Sequence, residues 1–196
     1  MNAGKILKVG VVGAGHLGKY HIEKFKLMNQ VDLVGFYDED LYRAKHISEL
    51  YDISAYSSMG ELFDCCEAIS IVTPTSTHFE VAQKAMNSGC HVFIEKPITD
   101  SVRSAEQLIK ISNQKKLNIQ VGHIERFNPA FCSLDIDDIK PHFIESHRIS
   151  QFPNRGTDVD VILDLMIHDI DILLFLIKSK VRAISASGLC VLSKTY

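Results

Sequence analysis

The first 120 residues alternate short apolar runs with longer segments whose apolar positions recur every three or four residues. The short runs predict buried strands, and the longer segments predict helices. The six predicted strands are Ile6–Val12, Val31–Tyr37, Ile53–Tyr56, Ala68–Val72, His91–Ile94 and Leu117–Val121. The predicted helices are His16–Met28, Leu41–Tyr51, Met59–Cys65, Thr77–Asn87 and Ser101–Lys115. Strands separated by helices predict a doubly wound α/β domain with a parallel sheet covered on both faces.

The pattern changes after Gly122. Phe143–Phe152 partly alternates apolar and polar residues and predicts a half-exposed strand, Val159–Ile177 predicts a buried helix, and Val181–Leu192 predicts another strand. We therefore predict one domain over residues 1–122 and the start of an α+β domain, with an incomplete open sheet, over residues 123–196. Because two strands on one helix make a poor independent unit, this segment either packs tightly on the first domain or belongs to a longer chain.

Composition narrows the class of protein. Hydrophobic residues make up 46% and charged residues 23%, which is ordinary for a soluble globular protein. The net charge of −3 argues against nucleic-acid or anionic-membrane partners, and no apolar run is long enough for a signal peptide or a membrane span. The five cysteines contain no CxxC pair and suggest neither a zinc site nor a disulfide framework. We expect a cytoplasmic protein with reduced cysteines and no metal.

A GxGxxG pattern, Gly13–Gly18, follows the first strand and opens the first helix, which is the context that dinucleotide binding requires. Gly13 permits the tight turn, Gly15 lets the backbone approach a pyrophosphate, and Gly18 lets the helix pack on the strand. With His16 and Leu17, these residues form the helix end whose N–H groups attract phosphate. The alternative is a simple tight turn between strand and helix.

Asp38 ends the second strand, where an acidic residue binds the ribose hydroxyls of a dinucleotide. Its neighbours Glu39 and Asp40 are also acidic and the nearest arginine is Arg43, so a 2′-phosphate is repelled and NAD is favoured over NADP. Asp38 has an alternative role as the cap of the following helix.

The carboxyl end of the fourth strand provides further candidates, since ligands of open parallel sheets lie outside these strand ends. Thr73, Thr75 and His78 are predicted to line the nicotinamide half of the site. The alternative for Thr75, Ser76 or Thr77 is helix capping.

Lys96 follows the fifth strand, where a lysine beside a bound nicotinamide is placed to hydrogen-bond a substrate hydroxyl, and Glu95 is placed to pair with it or orient it. Asp164 and His168 are spaced i,i+4 on the later helix and so share a face, which suits proton acceptance near neutral pH. The alternatives are a surface lysine in a turn before Pro97 and a paired polar group in a core.

Four segments resemble the Gfo/Idh/MocA oxidoreductase family: Gly13–Gly18, Thr73–His78, Gly89–Pro97 and Asp164–His168. The resemblance implies a Rossmann domain followed by an α+β domain with a large open sheet. It also implies hydride transfer between NAD or NADP and sugars, inositols or nucleotide-linked sugars. It assigns Lys96 as the catalytic lysine, His168 as the acid/base histidine and Asp164 as its accompanying aspartate.

Two narrower segments, His123–Pro129 and Asp160–Asp169, resemble bacterial members of the family that act on UDP-N-acetylglucosamine. A diphosphate sugar needs local cations, and Arg126, Arg148 and Arg155 are the candidates, with surface ion pairs as the alternative role.

Family members continue beyond the last residue of this chain, so we expect a truncated member, and a homo-oligomer where the second-domain sheet is complete. The alternative function is a non-catalytic NAD-binding or regulatory module. An amino-acid dehydrogenase is disfavoured by the glutamate-lysine-proline motif.

Overall fold

The computed structural model describes residues 5–136, 138–149 and 160–189. The chain divides into two compact units, Met1–Gly122 and His123–Tyr196.

The first unit is a five-stranded parallel sheet with the strand order β2-β1-β3-β4-β5. The strands are β1 (Leu7–Val12), β2 (Val31–Tyr37), β3 (Ala68–Ile71), β4 (His91–Ile94) and β5 (Ile119–Val121). The helices are α1 (His16–Lys26), α2 (Leu41–Tyr51), α3 (Met59–Cys65), α4 (Thr75–Asn87) and α5 (Val102–Lys115). The prediction of a doubly wound α/β domain is confirmed.

Both faces of this sheet are covered because its strands are apolar on both sides. Val11 and Val12 are neighbours in β1 and point to opposite faces. Val11 belongs to a core cluster with residues of α1 and α2, including Ile22 and Ile47. Val12 belongs to a second cluster formed with α3, α4 and α5, which includes Leu108. The carboxyl ends of all five strands therefore meet at one open edge between the two helix layers.

Side-chain caps set the start of three helices of the first unit. Asp40 caps α2, Ser58 caps α3 by accepting from the Glu61 amide at 3.2 Å, and Ser101 caps α5 by accepting from the Ser104 amide at 3.2 Å. Each cap satisfies main-chain N–H groups that a first helical turn leaves without a partner.

The predicted strand Ile53–Tyr56 is reduced to a single parallel bridge between Ala55 and Phe36. The Phe36 amide donates to the Ser54 carbonyl at 3.0 Å, and the Tyr56 amide donates to the Phe36 carbonyl at 2.8 Å. The segment cannot extend the ladder further because Ser58 already caps α3. Smaller differences are at element ends, where α4 begins at Thr75 and β5 begins at Ile119.

The second unit contains a 3₁₀ turn (Ile124–Phe127), the short helix α6 (Pro129–Cys132), a π-helical segment (Ile162–Met166) and helix α7 (Ile167–Leu176). The helix predicted over Val159–Ile177 is present as the π-helical segment and α7. The prediction that it is buried is wrong for the described unit, since Asp171 is its one buried residue among those described.

The two strands predicted for the second unit are not formed where the structure describes them. Residues 143–149 and 181–189 have no strand, and the remainder of both predicted segments lies outside the described residues. Alternation shows which side chains can share a face, but a strand forms only where a neighbour accepts its hydrogen bonds. No such neighbour exists among residues 123–136, 138–149 and 160–189.

None of the helices in the described part of the chain has the length and apolar character that crossing a membrane requires.

Candidate functional site

The turn between β1 and α1 is closed by glycines at two crowded positions. Gly13 has a φ of +91°, which disfavours any side chain, and a Cβ there would lie 2.7 Å from the Val72 carbonyl oxygen. A Cβ on Gly18 would lie 2.0 Å from the Gly13 carbonyl oxygen. A Cβ on Gly15, in contrast, would meet no atom within 4 Å. Gly15 is therefore the position at which the backbone is open to an approaching ligand.

The first turn of α1 suits an anion. Gly15 is the N-cap residue and provides no side-chain cap, and the first turn contains no acidic residue among the described side chains. The first N–H groups of a helix lack intrahelical partners and have a partial positive charge. The main-chain amides of His16 and Leu17, which begin the helix, are thus candidates to hold a pyrophosphate, and that contact stays a prediction.

Asp38 is buried at the end of β2, with 4% of its surface exposed, and it fastens this turn. Its Oδ2 accepts from the Ala14 amide at 2.7 Å, and its Oδ1 accepts from the Asp40 amide at 2.9 Å. The alternative that Asp38 caps α2 is wrong, because Asp40 is the cap and accepts from the amides of Tyr42 and Arg43. Asp38 thus joins the glycine turn to the strand end where a ribose is expected.

Arg43 contacts the carboxylates at this strand end, and the sequence did not show which way its side chain points. Its guanidinium donates to both carboxylate oxygens of Asp38 at 3.2 Å and to Oδ2 of Asp40 at 3.1 Å. The Arg43 side chain is 43% exposed. The three carboxylates of Asp38, Glu39 and Asp40 outnumber this one guanidinium, so the local charge is negative. A negative charge repels a 2′-phosphate, which is consistent with NAD rather than NADP.

The turn after β3 is tied to the turn after β4 by a histidine. His78 is 1% exposed, and its Nε2 lies 2.9 Å from the Thr73 carbonyl oxygen while its Nδ1 lies 2.9 Å from the Pro97 carbonyl oxygen. Its ring thus links two strand ends, and direct contact of His78 with a nicotinamide stays a prediction.

The threonines of this turn are placed around the start of α4. Pro74 is the N-cap residue and has no side-chain cap, so capping by Thr75, Ser76 or Thr77 is not what begins the helix. The Thr77 hydroxyl lies 2.7 Å from the Thr73 hydroxyl and 2.8 Å from the Pro74 carbonyl oxygen. Thr75 is 8% exposed.

Glu95 and Lys96 directly follow β4 at the open edge of the sheet, and Lys96 is half-buried. The Glu95 carboxylate accepts from the Lys96 amide at 3.2 Å and lies 3.0 Å from Nε2 of His21. The Lys96–Pro97 peptide bond is cis. Glu95 therefore holds the main-chain amide of Lys96. The pairing or orienting of the Lys96 side chain by Glu95, and the cofactor contact assigned to Glu95, stay predictions.

The Glu95 carboxylate is ionised by its surroundings. Burial raises its pKa, but the hydrogen bond and charge of His21, together with the amide and charge of Lys96, lower it further, so the pKa ends below its ordinary value. His21 was not singled out from the sequence. The sequence feature that could have indicated it is Ser70 in the apolar strand β3, because a buried hydroxyl needs a hydrogen-bonding partner. That partner is Nδ1 of His21, 2.9 Å away.

The second unit holds Asp164 and His168, both half-buried. Asp164 lies in the π-helical segment and His168 in the first turn of α7. The sequence predicted a plain α-helix here. A π-helical turn changes the angular spacing of an i,i+4 pair, and such turns are frequent at functional sites. The roles of Asp164 and His168 stay predictions.

The arginines proposed for a diphosphate are engaged by carboxylates of α7. Arg126 donates through Nε to Oδ2 of Asp171 at 2.7 Å and through a terminal nitrogen to Oδ1 at 2.5 Å. Arg148 makes a similar pair with Asp169, at 2.6 and 3.0 Å. Each pair lowers the pKa of its carboxyl through the arginine's hydrogen bonds. This geometry matches the ion-pair alternative. Arg155 lies outside the described residues.

No group of three or more metal-ligating side chains occurs among the residues that the structure describes.

The comparisons with known proteins agree with this geometry. The Gfo/Idh/MocA model, described as an oxidoreductase family with an NAD-binding Rossmann fold, matches residues 7–123. The chain is 38% identical over 188 residues to the UDP-N-acetylglucosamine 3-dehydrogenase of Acidithiobacillus ferrooxidans, covering 95% of this chain and 59% of that protein. It is 28% identical over 199 residues to the scyllo-inositol 2-dehydrogenase (NAD(+)) of Bacillus subtilis, covering 93% and 57%.

A solved structure of UDP-N-acetylglucosamine 3-dehydrogenase GnnA from Acidithiobacillus ferrooxidans matches with a TM-score of 0.90 at 37% identity. The match covers 96% of this chain and 62% of that one. The chain thus spans about three fifths of the length of these relatives. By its family-model match and its dinucleotide-type fold, the chain belongs to the Gfo/Idh/MocA family of oxidoreductases with an NAD-binding Rossmann fold.

Proposed function

We propose that the protein is an NAD-dependent oxidoreductase that transfers a hydride between nicotinamide and a hydroxyl-bearing carbon of a sugar or nucleotide sugar. UDP-N-acetylglucosamine is the first substrate to test, because a similar protein covering 95% of this chain is a UDP-N-acetylglucosamine 3-dehydrogenase. A second relative acts on an inositol, whose ring hydroxyls resemble those of a sugar. A cytoplasmic location and a homo-oligomer belong to the same proposal.

The observation that supports cofactor binding most directly is the open space at Gly15 beside the uncapped start of α1. The buried Asp38 carboxylate closes the same site at the ribose end. The residues present therefore fit a dinucleotide: N–H groups for the pyrophosphate, and a carboxylate for the ribose hydroxyls. For those hydroxyls to reach Asp38, the exposed Arg43 guanidinium must give up part of its contact with that carboxylate.

When bound, the nicotinamide supplies the hydride acceptor or donor. The chain's own residues handle the proton. In the oxidative direction a ring nitrogen of His168 takes the hydroxyl proton, with Asp164 favouring the protonated ring. The role proposed for the Lys96 ammonium is a hydrogen bond to a substrate hydroxyl. Lys96 suits this role because it lies at the carboxyl end of β4, on the sheet edge where ligands of such folds bind.

A matched pair of variants tests the assignment of Lys96. Lys96→Ala should lower kcat by about 100-fold or more while NAD binding stays within about twofold, because a proton-handling group contributes to the chemical step. Lys110→Ala, an exposed position on α5, is the control and should behave as the unmodified protein. Turnover is followed by NADH absorbance with UDP-sugars, inositols and free hexoses. Normal turnover by Lys96→Ala would overturn the assignment.

A non-catalytic NAD-binding or regulatory module is the second candidate. The observation in its favour is that neither predicted strand of the second unit is formed within residues 143–149 and 181–189. Calorimetry distinguishes the two: tight NAD binding, with no turnover of any substrate in the panel, would favour the module.

A further inference from the structure

A chain of polar contacts runs beneath the open edge of the sheet and ends at Lys96. The Ser70 hydroxyl lies 2.9 Å from Nδ1 of His21, Nε2 of His21 lies 3.0 Å from Glu95, and the Glu95 carboxylate accepts from the Lys96 amide at 3.2 Å. The chain connects three elements, because His21 lies on α1, Ser70 on β3 and Glu95 directly after β4. It therefore links the helix of the glycine turn to the candidate catalytic lysine.

The residue types are those of a serine nucleophile with a histidine base and an orienting carboxylate. That function is excluded here by burial. Ser70 is 1% exposed and lies inside β3, in register with Phe93 of β4, so no substrate carbonyl can reach its hydroxyl. These contacts therefore act on Lys96, the last residue of the series.

The surroundings of His21 leave Glu95 as its one charged partner within the described residues. The rings of Phe25 and Phe93 pack edge-on against the imidazole, with centroids 6.2 and 5.7 Å away. Ser70 supplies the other polar contact. The side chains of His21 and Glu95 are only 16% and 12% exposed, so water screens their interaction weakly.

Gly122 limits the movement of the Glu95 side chain. A Cβ placed on Gly122 would lie 3.0 Å from the Glu95 carboxylate, so the glycine is what leaves room for that group. The carboxylate is thus held between Gly122, His21 and the Lys96 amide.

We propose that His21 is a positioning residue for Lys96: it holds the Glu95 carboxylate on the α1 side of the turn, and that carboxylate fixes the Lys96 main chain through its amide. The proposal rests on the proposed function, in which Lys96 meets the substrate. Without His21, Glu95 loses its hydrogen-bonding partner on α1 and can turn away from the Lys96 amide. The main chain that presents Lys96 is then less firmly held.

The test is hydrogen exchange of the Lys96 amide in the full chain, followed by NMR, because that amide donates to the Glu95 carboxylate. His21→Phe removes both ring nitrogens and keeps an aromatic ring between Phe25 and Phe93. His46→Phe, at an exposed position of α2, is the matched control. Thermal unfolding of each variant is measured alongside.

His21→Phe should speed exchange of the Lys96 amide by about tenfold, because its acceptor is no longer held in place, and His46→Phe should leave that rate unchanged. Glu95→Ala removes the acceptor and should speed the exchange as well. In the double variant the effect of His21→Phe should vanish, because it acts through Glu95. This last result separates positioning from general destabilisation.

Unchanged exchange of the Lys96 amide in a folded His21→Phe protein would overturn the proposal. If His21→Phe does not fold, Glu95→Ala decides alone, and unchanged exchange in that variant has the same consequence. In turnover, His21→Phe should lower kcat about tenfold with the KM for NAD within about twofold. Should the unmodified protein oxidise no sugar, the proposed function fails while amide exchange still tests the positioning of Lys96.

Discussion

Replacing Gly15 by alanine tests the dinucleotide site without disturbing the fold. The added methyl group would meet no atom within 4 Å, and the backbone at Gly15, with φ −68° and ψ −154°, is extended and open to alanine. Gly15→Ala should therefore change the free energy of unfolding by no more than about 1 kcal/mol, because the lower entropy of the unfolded chain opposes the weaker N-cap preference of alanine. The methyl group nevertheless occupies the space through which a pyrophosphate approaches the first amides of α1.

The expected loss of NAD affinity follows from the hydrogen bonds that the methyl group prevents. A hydrogen bond to a charged group contributes about 1.5–3 kcal/mol. Displacing the pyrophosphate from one N–H group should thus weaken the Kd for NAD by about 10- to 150-fold. The variant is expected to lose affinity while keeping its stability.

Calorimetric titration with NAD and a thermal melt of the same sample measure the two quantities. Gly60→Ala is the matched control, because its Cβ would also stand in open space, 4.0 Å from the nearest atom, but on α3 away from the turn. Gly18→Ala is the opposite case and should lower both stability and affinity, since its Cβ would lie 2.0 Å from the Gly13 carbonyl oxygen. NAD binding by Gly15→Ala at the unmodified affinity would refute the site and favour a simple strand-to-helix turn.

Two further predictions concern stability and thiol reactivity. Arg126 lowers the pKa of Asp171 through its hydrogen bonds, so their pair stabilises the fold fully above the ordinary aspartate pKa of about 4 and less as pH falls through the lowered folded value. Asp171→Asn should lower the free energy of unfolding by about 1–2 kcal/mol near neutral pH, a small loss because Arg126 is 41% exposed. Chemical denaturation should show the difference in stability between the two proteins shrinking below about pH 4. A difference that grows in acid would contradict this prediction. Burial raises the pKa of Cys66 to about 12 and that of Cys90 above its ordinary value. Iodoacetamide at mildly alkaline pH should therefore label the exposed Cys65 and leave Cys66 and Cys90 unmodified, as measured by peptide mass mapping. Equal labelling of all three cysteines would contradict this prediction.

The elements of the first unit were predictable because each is dictated by its own residues. The apolar strands, the capping residues and the glycine turn act over a few positions of the chain, and β2, α2, α3 and β4 have the predicted ends. Ile53–Tyr56 differs because a strand also needs room beside its neighbour, and the start of α3 ends the pairing after one bridge. The strands predicted in the second unit fail for the related reason that no described neighbour accepts their hydrogen bonds.

Candidate site residues were predictable where a motif places them at a strand end. Lys96, Glu95 and Asp38 lie at such ends, and the glycines lie where the turn needs them. Their partners were not predictable, because Arg43 and His21 occupy ordinary helix positions whose direction depends on packing. Likewise, the spacing of Arg126 could not show that it faces Asp171, 45 residues away.

By itself, the sequence determined the parallel α/β architecture, the phosphate-type turn and the position of Lys96 at a sheet edge, since these depend on local patterns and on the rule that parallel strands end together. The tertiary structure alone decided that Asp38 holds the glycine turn closed, that His78 joins two strand ends, and that His21 holds Glu95 beside Lys96. The reason is physical. Hydrogen bonds between residues 19 to 74 positions apart exist only after the sheet has formed and burial has excluded competing water.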